Sequence, residues 1–362
     1  MAGIYIHVPF CASRCIYCDF YSTTLRGKAH EYVDAIIKEY KDRSDFLPSG
    51  EPLRTIYIGG GTPSQLPISE LKRLIEFFHS NDIEEFTIEA NPEDICEEWV
   101  QTVGQYTNMR ISMGVQSLDD AELKMLNRRH NSVKPKEAVT SLRNAGINNI
   151  SLDLMYGLPN QTIESWGKSI DGIIELNPEH ISAYCLSIEK GTKLNGLIEQ
   201  GILTPADDEL CLKMAELLRH KLCKAGYIQY EISNYSKPGF ESKHNSSYWD
   251  GTPYLGLGPG AHSYNGNLLR CWNEGELREY LEGHRIEGHE TLSETDLYNE
   301  KIMLGLRTRK GVDLSNFEIK GLNDYLQNNK KKELVTIKNN HLVLTEAGLA
   351  LADEVIRDLM ID

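Results

Sequence analysis

Apolar and β-branched residues recur along this chain in short runs that alternate with longer stretches of helical period. The strand-like runs are Gly3–Val8, Thr55–Ile58, Phe86–Ala90, Arg110–Val115, Ile150–Tyr156 and Ile181–Leu186. Between them, apolar positions three and four apart predict helices over Ala29–Arg43, Ser69–Ser80, Asp119–Leu126, Lys134–Ala145 and Thr162–Leu176. Six strand-then-helix units imply an α/β architecture, a parallel sheet curled into a partial (β/α)6 barrel. A further helix, Pro205–Ala225, precedes a change of texture: Tyr230 to Asn273 is rich in Tyr, Ser, Asn and Gly, which predicts an irregular cap over the barrel mouth. From about Ser293 the pattern gives a helix (Asp296–Arg307), a polar turn and a second helix (Leu314–Asn328). A strand pair around Val335–Ile337 and His341–Leu344 and a last helix Glu346–Leu359 then complete a winged-helix-like α+β module. The expected units are therefore a barrel over 1–229, a cap and linker over 230–290 and a C-terminal module over 291–362.

In barrels of this kind chemistry collects at the C-terminal ends of the strands. The distinctive residues of the chain fall at those ends. Cys11, Cys15 and Cys18 follow the first strand, and Gly59-Gly60-Gly61-Thr62-Pro63 follows the second. Glu89 closes the third, Gln116 closes the fourth, and Asp153 lies in the fifth. Three thiolates spaced four and three residues apart suit a cubane iron–sulfur cluster, which takes four ligands and so keeps one iron open to a small molecule. A zinc site is the rival, and it calls for a fourth local Cys or His that does not follow at the usual spacing. The glycine run lets backbone approach a ligand closely, although it lacks the Lys-Ser/Thr of a phosphate-binding loop. Glu89 offers a carboxylate to an ammonium or to ribose hydroxyls, and Gln116, Arg128 and Asp153 offer further donors and acceptors.

These segments resemble a known family. The cysteine spacing is that of radical S-adenosylmethionine (SAM) proteins. Tyr5-Ile6-His7-Val8-Pro9-Phe10-Cys11, Cys15-Ile16-Tyr17-Cys18, Gly59–Pro63, Gly114-Val115-Gln116, Asp153-Leu154-Met155-Tyr156-Gly157-Leu158-Pro159 and the C-terminal module are similar to the oxygen-independent coproporphyrinogen III oxidase family. The resemblance implies a radical SAM barrel with a [4Fe–4S] cluster on Cys11, Cys15 and Cys18. It implies SAM contacts at Tyr5, Tyr17, Gly60, Gly61, Thr62, Glu89, Gln116, Arg128 and Asp153, the match at Arg128 resting on the short run Leu126–His130. Two departures set the branch. Phe20 stands where the oxidase has a further cysteine, and the chain begins at the first strand where the oxidase carries an extension. His244-Asn245-Ser246-Ser247-Tyr248-Trp249 instead resembles the H-N-x-x-Y-W signature of the haem-chaperone branch. Imidazole and phenolate can ligate haem iron and an indole can face the macrocycle, so His244, Tyr248 and Trp249 are the candidate haem residues. On a helix His244 and Tyr248 share a face.

The resemblance thus implies a haem-binding protein that passes haem to an acceptor protein and draws electrons for its cluster from a donor. Oxidative decarboxylation of coproporphyrinogen III, or another radical reaction on a tetrapyrrole, is the alternative; no residue is singled out as catalytic. A net charge of −15 over 362 residues argues against nucleic acid or an anionic membrane as the main partner. The acidity lies in the first 300 residues, since from Lys301 onward ten Lys/Arg face nine Asp/Glu. No apolar run approaches the ~20 residues that span a bilayer. The chain opens without a basic, signal-like segment, and the remaining cysteines (Cys96, Cys185, Cys211, Cys223, Cys271) are dispersed. The expectation is a cytoplasmic protein whose other thiols are buried and inert.

Overall fold

The fold was analysed in a computed structural model that describes residues 1–283 and 286–361. Residues 284 and 285 of the expected middle unit and residue 362 of the last lie outside the described residues. Strands β1 (Ala2–Val8), β2 (Leu53–Gly60), β3 (Glu85–Ala90), β4 (Met109–Gln116), β5 (Ile150–Tyr156) and β6 (His180–Cys185) run parallel, side by side in that order. The connecting helices are α1 (Ala29–Asp42), α2 (Ile68–Phe78), α3 (Glu97–Val103), α4 (Asp120–Met125), α5 (Lys134–Asn144) and α6 (Ile163–Leu176). After β6 come α7 (Lys193–Glu199) and α8 (Asp208–Lys224). This is the expected partial barrel, and β5 has the predicted limits to the residue.

Each barrel strand has two buried faces of opposite character. Ile4, Ile6, Val8, Ile56, Ile58, Phe86, Ile88, Ile111 and Met113 pack into one large apolar core with residues of the helices. The alternate positions are polar: Tyr5 and His7, Thr55 and Tyr57, Glu85, Thr87 and Glu89, Arg110 and Ser112, Ser151 and Asp153, His180 and Ser182. Because side chains alternate with a period of two, this second set lines the concave interior. A closed barrel fills its interior with branched apolar residues; this one carries a chemically active lining.

The segment after α8 differs from expectation. β7 (Ile228–Gln229) and β8 (Asn234–Ser236) extend the sheet beyond β6, with β8 antiparallel to it. Helix α9 (Lys243–Trp249) then crosses to the other edge, where β9 (Tyr254–Leu257) pairs parallel with β1. β10 (His262–Tyr264), β11 (Leu269–Glu274), α10 (Leu277–Leu281) and β12 (Ile286–Thr291) follow, and among the described residues the sheet reaches twelve strands. The stretch expected as an irregular cap over the mouth is therefore mostly sheet. Its helix lies at the opposite end of the barrel, against Gly3, Thr55 and Glu85, near the starts of β1, β2 and β3. The Gly258-Pro259-Gly260 turn and the start of α10 come round to the cysteine end, where Gly258 lies against the carbonyl of His7 and Leu277 N donates to Tyr21 Oη (2.6 Å).

The C-terminal module has its own small sheet and core. It comprises α11 (Glu294–Leu306), β13 (Val312–Asp313), α12 (Leu322–Gln327), β14 (Val335–Lys338), β15 (His341–Leu344), α13 (Glu346–Ala350) and α14 (Ala352–Leu359). Ile302, Leu306, Val312, Leu342, Val355 and Leu359 are at its centre. A short strap ties it to the barrel, with bonds from Ile232 N to Arg307 O (3.1 Å) and from Arg309 N to Tyr230 O (2.9 Å), and an ion pair joins Arg270 of β11 to Glu300 of α11. No helix among the described residues is long and apolar enough to cross a membrane.

Candidate functional site

The loop after β1 is closed on itself and pinned to its neighbours. Thr23 N donates to Pro9 O (2.7 Å) and Cys11 N to Thr23 O (2.9 Å), which zips its two limbs. Its tip hangs on the turn after α4, where Ile16 N donates to Leu126 O (3.3 Å) and Asn127 Nδ2 to Arg14 O (3.0 Å). Cys11 is buried, and Cys15 and Cys18 are partly exposed on the same loop. Burial raises the Cys11 and Cys18 thiols; hydrogen bonds from Thr62 and Ser22 oppose it at Cys11 and a backbone bond from Phe20 opposes it at Cys18. Thr62 Oγ1 lies 3.4 Å from Cys11 Sγ, and Arg128 Nη1 donates to Cys15 Sγ at 3.6 Å. Such donors stabilise sulfur charge next to a metal cluster.

Arg128 joins three elements. Its Nη2 donates to Asn91 Oδ1 and to Gly114 O, both at 2.6 Å, and its Nε is a buried donor with no partner. Gly114 and Gln116 flank a register shift between β4 and β5, and Gln116 takes φ +66°. A non-glycine residue held in that left-handed region is a local strain that the surrounding structure must impose. The bulge turns Gln116 back over the strand end, with Nε2 2.9 Å from where a β-carbon on Gly114 would sit. Tyr17 packs with Leu126, Met155 and Leu158, beside the guanidinium of Arg128.

Glu89 anchors the other side. Tyr57 Oη donates to its Oε1 (2.7 Å) and Gly60 N to its Oε2 (3.1 Å). Burial pushes its carboxyl up to about 7, with nearby Asp153 adding to the shift and the Tyr57 and Gly60 bonds opposing it. Asp153 is also raised by burial, against hydrogen bonds from Ser182, Ser112 and Ser151. Tyr5 Oη meets His7 Nδ1 (3.1 Å), and the Tyr5 ring stands 6.0 Å from that of Tyr57.

The glycines serve packing as much as ligand access. Gly60 has φ +107°, and a β-carbon there would lie 2.5 Å from His7 Nδ1. At Gly61 it would meet the backbone of Val8 and Pro9 at 2.8 and 2.9 Å. The run is therefore required first for close approach of the β2 end to the cysteine loop. Tyr57, His7, Asn91 and Arg110 belong to this region and were not singled out in the sequence. Tyr57 and Asn91 had a readable signal: Tyr57 stands two residues from Gly59 on the same strand face, and Asn91 stands two residues past Glu89, just beyond the end of β3.

Tyr5, Tyr17, Gly60, Gly61, Thr62, Glu89, Gln116, Arg128 and Asp153 are thus gathered with the three cysteines at one end of the barrel. A model of the Radical SAM superfamily matches residues 5–172, and one of the HemN C-terminal domain matches residues 292–351. The chain is 35% identical to the heme chaperone HemW of Lactococcus lactis, with 99% of this chain and 97% of that one covered. It is 36% identical to the heme chaperone HemW of Bacillus subtilis, over 98% of each chain. The chain belongs to the HemW family. A solved structure of coproporphyrinogen III oxidase (HemN) from Escherichia coli matches with TM-score 0.83 at 22% identity, covering 99% of this chain and 90% of that one. That likeness establishes a shared fold.

The remaining residues that drew attention lie elsewhere in this HemW-family chain. His244, Tyr248 and Trp249 are on α9, at the far end of the barrel from the cysteines. His244 is fully buried; its Nδ1 meets Thr55 Oγ1 and its Nε2 meets Tyr248 Oη, both at 2.9 Å. Phe20 is 66% exposed beside the cysteine loop. The other five cysteines were expected to be buried, but Cys96, Cys185 and Cys223 are exposed and Cys211 is partly so. Cys96 precedes a helix, Cys185 ends β6 on the rim and Cys223 lies in the last turn of α8, all places where a small residue meets solvent.

Proposed function

We propose that this protein is a cytoplasmic haem chaperone that holds a [4Fe–4S] cluster and SAM at the cysteine end of the barrel and delivers haem, its cargo, to an acceptor protein. Cys11, Cys15 and Cys18 would hold the cluster. The unpartnered Arg128 Nε and the Glu89 carboxylate are complementary to the carboxylate and ammonium of a methionyl group. Tyr57 and Gly60 orient Glu89, Asp153 and Gln116 supply acceptors and donors for a nucleoside, and Tyr17 closes the side against Leu126 and Met155. Bound there, cluster and SAM supply one-electron chemistry, fed by an electron donor. Thr62 and Arg128 offset the charge of the thiolates.

The observation that carries the choice of chaperone over oxidase is Phe20: an exposed phenyl ring occupies the place of the additional thiol in the oxidase pattern. The names borne by the full-length relatives support the same choice. The test is to give reconstituted protein haem and, separately, coproporphyrinogen III with SAM and a reductant. Haem should bind at about one per chain, and no protoporphyrinogen should form. Conversion of coproporphyrinogen III would reject the chaperone reading.

A further inference from the structure

The α9 sequence offers a histidine, a tyrosine and a tryptophan that are chemically suited to haem, yet the fold has already used them. Haem iron needs a nitrogen lone pair free to bond and open space along that direction. The His244 imidazole is fully buried and both nitrogens have partners, Thr55 and Tyr248, at 2.9 Å. A β-carbon on Gly3 would come within 3.2 Å of its Cε1 and Nδ1, so β1 lies directly on the ring. The other side carries Tyr57, with ring centroids 5.1 Å apart. The Tyr248 hydroxyl is engaged by His244 Nε2, and its ring packs edge-on against Tyr254, centroids 4.7 Å apart. The Trp249 ring is covered by the guanidinium of Arg307 at 5.4 Å. Burial, with Arg110 nearby, lowers the His244 pKa to about 3, so the ring is neutral, one nitrogen donating and the other accepting.

What His244 does touch leads to the cofactor end. The face of Tyr57 rests on the imidazole, Tyr57 Oη donates to Glu89 Oε1 at 2.7 Å, and Glu89 Oε2 receives Gly60 N at 3.1 Å. We propose that the H-N-x-x-Y-W helix is the fixed floor of the cofactor pocket rather than a haem-ligating segment, with His244 a positioning residue that acts through Tyr57 on Glu89. Haem then binds this protein at another surface. The proposal rests on Glu89 being a SAM contact, and the experiment keeps the two apart.

SAM affinity by equilibrium dialysis and the haem Soret band would be measured on reconstituted wild type, His244→Gln, His244→Ala, Tyr57→Phe and Glu89→Gln. A glutamine amide can bond both Thr55 and Tyr248 but is a poor iron ligand. His244→Gln should keep the wild-type Soret band and SAM affinity within about twofold. Tyr57→Phe removes a hydrogen bond to a charged group and should weaken SAM about tenfold or more. His244→Ala should weaken SAM comparably and raise the pH at which binding is half-maximal, with His244→Gln restoring both. A shifted Soret band or lost haem affinity in His244→Gln overturns the proposal, as does wild-type SAM binding by a folded His244→Ala. Undiminished SAM binding by Glu89→Gln would instead remove Glu89 from the SAM site, a separate result.

Discussion

At the residue scale the site holds acidic side chains out of water, and burial decides which form they prefer. Glu89 shows this most clearly. Its carboxyl is raised from 4.5 to about 7, so the fold favours the protonated form. The stability this contributes is complete below about 4.5 and is lost as pH rises through about 7. A bound ammonium reverses the preference. SAM affinity should therefore climb by up to about tenfold per unit as pH rises towards 7 and level off above it, and Glu89→Gln should flatten the curve. A pH-independent affinity in the wild type would show that no carboxylate meets the cofactor's cation. That the three cysteines share one loop was legible from their spacing, which has the ligand number and reach of the proposed cluster. Cys15→Ser should accordingly lose the cluster's visible absorbance and iron, whereas Cys271→Ser should keep both. His7 and Arg110 were not legible, since a His or Arg inside a strand carries no mark of which face it lines until the register is known.

At the element scale, the six parallel strands were visible because their helix-facing positions are almost uniformly apolar. β4 and β6 were each read within a residue or two of their limits. The polar lumen was hidden within the same runs, and α9 was placed at the wrong end. Nothing local says where a short polar helix docks. Its position is fixed by distant residues: Glu85 Oε1 accepts from His244 N (3.0 Å) and Ser242 Oγ (3.3 Å), and Oε2 accepts from Lys243 N (2.9 Å). A carboxylate at a helix N-terminus satisfies donors that have no intrahelical partner. Glu85 is only 3% exposed, so truncation strands those amides away from water. Glu85→Ala should cost about 2–3 kcal/mol in urea unfolding. Lys243→Ala breaks only the half-exposed pair with Glu84 and should cost less than about 1 kcal/mol. Equal losses in the two variants would mean that the cap is not what holds α9.

At the scale of the whole molecule, the two largest hydrophobic cores among the described residues are joined by a small set of contacts. The larger core runs through the barrel strands and their helices, and the smaller one is confined to residues from Ile302 to Leu359. Between them the ties include the backbone bonds of Tyr230 and Ile232 with Arg307 and Arg309, the guanidinium of Arg307 over Trp249, and the ion pair of Arg270 with Glu300. That is little beside the apolar area each core buries, and burial at about 25 cal/mol per Å² dominates cooperativity. The C-terminal module, which we propose as a unit over 291–362, should therefore unfold on its own when its core is weakened. Leu342 is fully buried on β15, with the Gly311 turn packed tightly against its carbonyl. Leu342→Ala should cost about 2–5 kcal/mol, taken almost wholly from the module. Urea unfolding of the holoprotein should then split into two transitions. The first would release amide protection across β14, β15 and α14 while the cluster's absorbance persists, and the second would abolish that absorbance. A single transition in which absorbance and module protection vanish together would show that these ties couple the two cores into one cooperative unit, with Tyr230 as a link into the barrel, its hydroxyl meeting His180 Nε2 at 2.8 Å at the start of β6.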